Sequence, residues 1–129
     1  MRFMMFMYPQ ISEDEWQPSA ESVEAMSRYN EELRKAGMLL ALDGLRPPSD
    51  GGTVRFSREG ETTVTDGPFA EAKEVVGGYW LIQARSREEA LEWASRCPAR
   101  GCAIEVRRVA ELDDFPEDVQ EAVQANESV

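Results

Sequence analysis

Apolar residues change their spacing several times along this chain, and each change marks an element. Residues 2–8, Arg-Phe-Met-Met-Phe-Met-Tyr, are apolar on both faces of an extended strand, a pattern that requires cover on both sides. Pro9 ends that strand. Ser19 then stands as the N-cap of a helix reaching about residue 36, with Val23, Met26, Tyr29, Leu33 and Ala36 recurring on one face. Gly37 follows where a left-handed C-terminal cap belongs. Residues 38–45 predict a second strand, stopped by Arg46-Pro47-Pro48 and the turn-rich stretch 49–52. Two alternating, β-branched runs, 53–57 and 61–65, flank Arg58-Glu59-Gly60 and predict a hairpin. Beyond the loop 66–74, a strand runs from residue 75 or 76 to 84. Its Gly77-Gly78 pair points to a bulge or to the close approach of another backbone.

The capping-box pattern of Ser86 and Glu89 opens a second helix, whose Ala90, Trp93, Ala94 and Cys97 share one face until Pro98 stops it. Residues 103–109 form the last strand, with Ala103, Glu105 and Arg107 on one face and Ile104 and Val106 on the other. In the tail, Leu112, Phe115, Val119 and Val123 keep roughly helical spacing, so a short acidic amphipathic helix is expected to dock there. The order strand, helix, strand, hairpin, strand, helix, strand predicts an α+β fold, a ferredoxin-like split βαβ unit with an inserted β-hairpin. Two helices cover one sheet face. The apolar second face of residues 2–8 therefore predicts a homodimer.

Composition narrows the function more than it defines it. At 129 residues the chain is expected to hold one domain over 1–110 and a tail over 111–129. A net charge of −11 repels a polyphosphate backbone, which argues against direct nucleic-acid binding. The tail alone carries seven acids and no Lys or Arg. A mean hydropathy of −0.49 and an apolar run no longer than residues 3–8 argue against a membrane span and a secretory signal, so a cytoplasmic protein is expected. Histidine is absent, which excludes Ser-His-Asp and Cys-His catalysis and His-ligated zinc or iron. Cys97 and Cys102 are five apart; in a reducing compartment such a pair reads first as two buried thiols, with redox or metal roles as the alternatives. Gly77-Gly78 lacks both the spacing and the following helix of a phosphate loop. No cofactor and no metal are predicted.

Four segments carry a family resemblance: Thr65-Asp66-Gly67-Pro68-Phe69-Ala70-Glu71-Ala72-Lys73-Glu74, Gly77-Gly78-Tyr79-Trp80-Leu81-Ile82, Ala90-Leu91-Glu92-Trp93-Ala94 with Cys97-Pro98, and Ile104-Glu105-Val106-Arg107. Through them the chain resembles YCII-related proteins of the DGPF subgroup over roughly residues 1–110. That resemblance implies a ferredoxin-like fold assembled as a dimeric α/β barrel. The wider relatives include small isomerases, dehalogenases and monooxygenases, and some members are associated with a His-Asp pair, of which Asp66 alone has a counterpart here. DGPF-type proteins also resemble companions of extracytoplasmic-function sigma factors.

Asp66-Gly67-Pro68 is in the first place turn chemistry, since Asp accepts from nearby backbone N–H groups, Gly relaxes φ and Pro fixes it. The functional alternative makes Asp66 a general acid/base at the mouth of a cavity. Tyr8, Arg46, Lys73 and Tyr79 are the substrate-binding candidates: Lys73 to orient an anion, Arg46 to clamp a carboxylate, and the tyrosines to stack or donate a proton. Arg55 and Arg107 have similar strand positions. Two functions follow as expectations. One is a small-molecule-binding dimer with cofactor-free isomerase, lyase or hydrolase activity on a small acidic or polar metabolite. The other is a non-catalytic accessory or regulatory protein linked to sigma factors.

Overall fold

The structure of the chain, a computed structural model, describes residues 1–66 and 74–127. Among the described residues six strands and three α-helices follow in the order β1 (Arg2–Tyr8), α1 (Ala20–Lys35), β2 (Leu39–Gly44), β3 (Gly52–Phe56), β4 (Thr62–Asp66), β5 (Gly78–Gln83), α2 (Arg87–Ser95), β6 (Ala103–Arg108) and α3 (Glu117–Asn126). A four-stranded antiparallel sheet has the order β2-β5-β1-β6, the ferredoxin-like arrangement. β3 and β4 form a separate antiparallel pair with Val54 opposite Val64. Between them Gly60 takes φ +91°, and Ser57 and Glu61 close the turn through backbone and side-chain bonds.

Each main helix is fixed at its ends by the residues the sequence offered. Ser19 Oγ accepts from the Ser22 N–H at 3.1 Å and opens α1. At the other end Gly37 takes φ +73°, its N–H donates to Arg34 O, and the Met38 N–H reaches back to Leu33 O at 3.1 Å. This is a Schellman closure, and the buried Leu33 and Met38 supply its apolar contact. Ser86 caps α2 by accepting from Glu89 N–H. Glu89, however, accepts from the N–H of Arg85, one residue before the cap, and from the Arg85 guanidinium, so the capping box is only half reciprocal.

Phe3 and Met5 of β1, Trp80 and Ile82 of β5, Tyr29 and Leu33 of α1 and Ala90 of α2 make the core between the sheet and the two helices. Phe3, Met5, Leu33 and Ile82 are almost wholly removed from water, each contributing roughly 1.5–3 kcal/mol of hydrophobic free energy. Trp80 packs edge-on to Tyr29 at 5.8 Å and donates its indole N–H to Asn30 Oδ1 at 2.8 Å, while the Tyr29 hydroxyl donates to Trp93 O. Of the α1 face expected to be buried, Met26 packs on the core's margin, whereas Val23 stays 48 % exposed and Ala36 is exposed as well. The bulge anticipated near Gly77-Gly78 lies instead on β2, between Leu39 and Ala41. It reverses the alternation, so that Leu39 and Leu42, three residues apart, both pack against the core. The glycine pair answers to close approach: a Cβ on Gly77 would lie 2.8 Å from the Pro9 ring, and one on Gly78 would lie 3.0 Å from the Asp43 carbonyl oxygen.

Candidate functional site

Alternation along the four strands decides which side chains are left on the sheet face away from α1 and α2. Met4, Phe6 and Tyr8 of β1 stand there, with Tyr79 and Leu81 of β5, Ala41 and Asp43 of β2, and Glu105 and Arg107 of β6. One row across the sheet reads Asp43, Tyr79, Phe6, Glu105; the next reads Ala41, Leu81, Met4, Arg107. An apolar strip of Met4, Phe6 and Leu81, each half-buried, is thus bordered by polar groups on both sides.

The two phenols on this face each meet a carboxylate. Tyr8 donates to Glu105 Oε1 at 3.0 Å, and Tyr79 donates to Asp43 Oδ2 at 3.1 Å. Both hydroxyls are held above the ordinary phenol range, first of all by these hydrogen bonds, because removing the proton would set two anions against each other. Arg107 acts in the opposite direction on Tyr8. Each pair is therefore a neutral donor joined to a charged acceptor, able to exchange hydrogen bonds with a hydroxyl or carbonyl group of a ligand.

Two depressions share Glu74, and the first of them borders this face. One, of about 410 Å³, is lined by Tyr8, Glu74, Ala103, Ile104 and Glu105. The other, of about 390 Å³, includes Arg46, Asp50, Gly52, Val75 and Val76. Arg46 donates its Nε–H to Asp50 and remains largely in solvent. Asp66, exposed at the end of β4, pairs in the ladder with Gly52, which lines the second depression. Tyr8 and Arg46 are thus drawn around Glu74, with Asp66 one ladder step from that rim, and Tyr79 lies across Phe6 from Glu105. Lys73 and the Gly67-Pro68-Phe69 part of the loop lie outside the described residues. Asp43, Glu105 and Glu74 had no assigned role in the sequence; the parity of Glu105 with Ala103 and Arg107 was visible, but its phenol partner, 97 residues away in the chain, was not.

Elsewhere, Cys97 and Cys102 are free thiols lining one shallow depression between α2 and β6. Burial pushes the Cys97 thiol up to about 12, the neighbouring Cys102 adding to the effect, so both stay protonated and weakly nucleophilic near neutrality. Among the described residues, no three Cys, Asp or Glu side chains converge as a metal would require, and no helix is long and apolar enough to cross a membrane. The first residues of the acidic tail are tied to the sheet: Arg2 grips Glu111 with two bonds, at 2.8 and 3.2 Å, and Arg108 pairs with Asp114 at 2.6 Å. Beyond them Phe115, Val119 and Val123 of the α3 region remain about 40 % exposed.

An antiparallel sheet in this order, covered by helices on one face and lined with phenols and carboxylates on the other, defines a ferredoxin-like α+β protein. Within that class, the YCII-related domain matches residues 1–113, and the chain belongs to that family. It is 42% identical over 69 residues to an uncharacterised protein of Rhizobium meliloti (strain 1021), a match covering 54% of this chain and 55% of that protein. The chain thus spans about half the length of the curated relative it matches.

Proposed function

We propose that the chain is a small-molecule-binding homodimer of the DGPF subgroup, in which two open sheet faces meet as an α/β barrel and enclose a site for cofactor-free acid–base chemistry on a small acidic or polar metabolite. The observation that carries this reading is the open face, an apolar strip of Met4, Phe6 and Leu81 between the Tyr8–Glu105 and Tyr79–Asp43 pairs. Apolar surface left in water forfeits roughly 25 cal/mol per Å², and a second sheet packed about 10 Å away would recover it. The polar borders would then face an enclosed, weakly screened space in which proton transfer is favoured. Asp66 is the proton-handling group in this reading, entering from the end of β4, with Tyr8, Arg46, Lys73 and Tyr79 binding the substrate. The cytoplasm is its proposed setting.

Light scattering at micromolar concentration tests the assembly, and twice the chain mass of 14.5 kDa is expected. A thermal-shift screen of small carboxylic acids then supplies a ligand. On the acid so found, Asp66→Asn abolishes turnover with the melting temperature nearly unchanged; a monomeric chain, or a variant that loses its fold along with its activity, overturns the reading. A second reading, an accessory protein linked to extracytoplasmic-function sigma factors, draws support from the exposed Phe115, Val119 and Val123 among the acids of the tail, the pattern of a helix that lies in a partner's groove. Deleting residues 115–129 would abolish that contact and leave ligand binding at the sheet intact.

A further inference from the structure

We infer that Arg107 is the carboxylate seat of the open face, and that its ligand is a small hydroxy-monocarboxylic acid with an apolar body, the acid's hydroxyl meeting the Tyr8–Glu105 pair. This rests on the proposal that the open face binds small molecules, and it names the class they belong to. Most of the described arginines are already matched to a carboxylate, including Arg2 on this same face, held bidentately by Glu111. The Arg107 side chain has no hydrogen bond or ion pair among the described residues; its backbone is held in the ladder with β1. It stands opposite Met4 and two residues from Glu105, so its guanidinium rises on the face that holds the Tyr8–Glu105 bond. The influence of its charge on the Tyr8 hydroxyl is a second sign that the three head groups share one locality.

The chemistry of the ligand follows from that grouping. A guanidinium with a free fork accepts a carboxylate through two parallel N–H bonds, an arrangement that an ammonium or an amide ligand does not reproduce. Met4 and Phe6 beside it present apolar surface for a hydrocarbon or aromatic body. Glu105 lies about 7 Å along the strand, where its charge repels a second carboxylate while the Tyr8 phenol and the unused carboxylate oxygen can serve a neutral hydroxyl. Dicarboxylates are therefore disfavoured, and a single negative charge with a hydroxyl at the far end is preferred.

Isothermal titration calorimetry of the full chain with 4-hydroxybenzoate, its uncharged counterpart 4-hydroxybenzamide and the dianion terephthalate tests this. The hydroxybenzoate is expected to bind at least about tenfold more tightly than either of the others, a difference large enough to read directly in Kd. Arg107→Gln, with its fold checked by circular dichroism, removes the preference over the amide; Arg107→Lys retains part of it. Tyr8→Phe brings 4-hydroxybenzoate down towards benzoate. Equal binding of acid and amide to the wild-type chain, or undiminished binding to Arg107→Gln, overturns the inference. Light scattering on the same samples separates it from the dimer reading: a dimer without the acid preference refutes the Arg107 seat alone, and a monomer with it refutes the dimer alone.

Discussion

Replacing Gly77 by Ala inserts one methyl group against the ring of Pro9, the residue that ends β1. The added Cβ would lie 2.8 Å from both Cδ and Cγ of that ring, against about 3.5–4.0 Å for carbon atoms in favourable contact. The shortfall is roughly 0.7–1.2 Å. A proline ring has no rotamer to swing aside, so the backbone has to move, at a typical overpacking cost of about 1–3 kcal/mol. Gly77 has no positive φ, so alanine's smaller loss of chain entropy returns about 0.4–1 kcal/mol. With mid-range values the repulsion wins, leaving a net loss of about 1.3 kcal/mol, within limits of about 0 and 2.6. Because Tyr8 precedes Pro9 directly, the same displacement loosens the Tyr8–Glu105 bond. Gly44→Ala is the control: nothing lies within 4 Å of its Cβ position and its φ is not positive, so it should be neutral or slightly stabilising. Urea unfolding of both variants measures the difference at unchanged slope. A Gly77→Ala protein as stable as the wild type, or a Gly44→Ala protein equally damaged, would refute the role given to close approach.

Asn30→Ala removes the acceptor of the Trp80 indole N–H, which lies in a side chain only 5 % exposed; a loss of about 1–3 kcal/mol is expected in the same urea assay, and an unchanged midpoint would show that solvent reaches the indole. Acid titration should be sensitive to Glu111 and Asp114. The hydrogen bond from Arg2 holds the Glu111 carboxyl below its usual range, and the Glu111 N–H followed by Arg108 does the same for Asp114. Depressed carboxylates contribute stability that is present above their unfolded pKa, near 4, and is lost as pH falls through the lower folded values. Melting temperature followed downward from pH 5 should therefore decline less steeply in Glu111→Gln than in the wild type; identical slopes would mean that the Arg2–Glu111 pair contributes nothing.

The strands and helices were legible wherever one local rule governed them. Ser19 and Ser86 cap the helices they precede, Gly37 and Gly60 take the positive φ their turns need, and Ala90, Trp93, Ala94 and Cys97 face the core as their spacing required. Less legible was the extent to which a periodic face is covered, which explains Val23: helical spacing orients a residue, but burial depends on how far the sheet extends beneath the helix. The β2 bulge was hidden for a related reason. Leu39, Leu40 and Leu42 are apolar in any register, and only pairing with β5 shows where the alternation reverses.

By itself, the sequence determined the ferredoxin-like order of elements, the family, and the exclusion of imidazole chemistry, because each depends on residue type or on separations within one element. Tertiary structure alone decided the company of each polar group. Tyr8 meets Glu105 and Tyr79 meets Asp43 through strand pairings that join distant parts of the chain, and the same pairings set the Arg107 side chain on that face without a carboxylate partner among the described residues. Which charges find partners is set by strand order and register, long-range quantities that the local propensities of a chain do not encode one residue at a time.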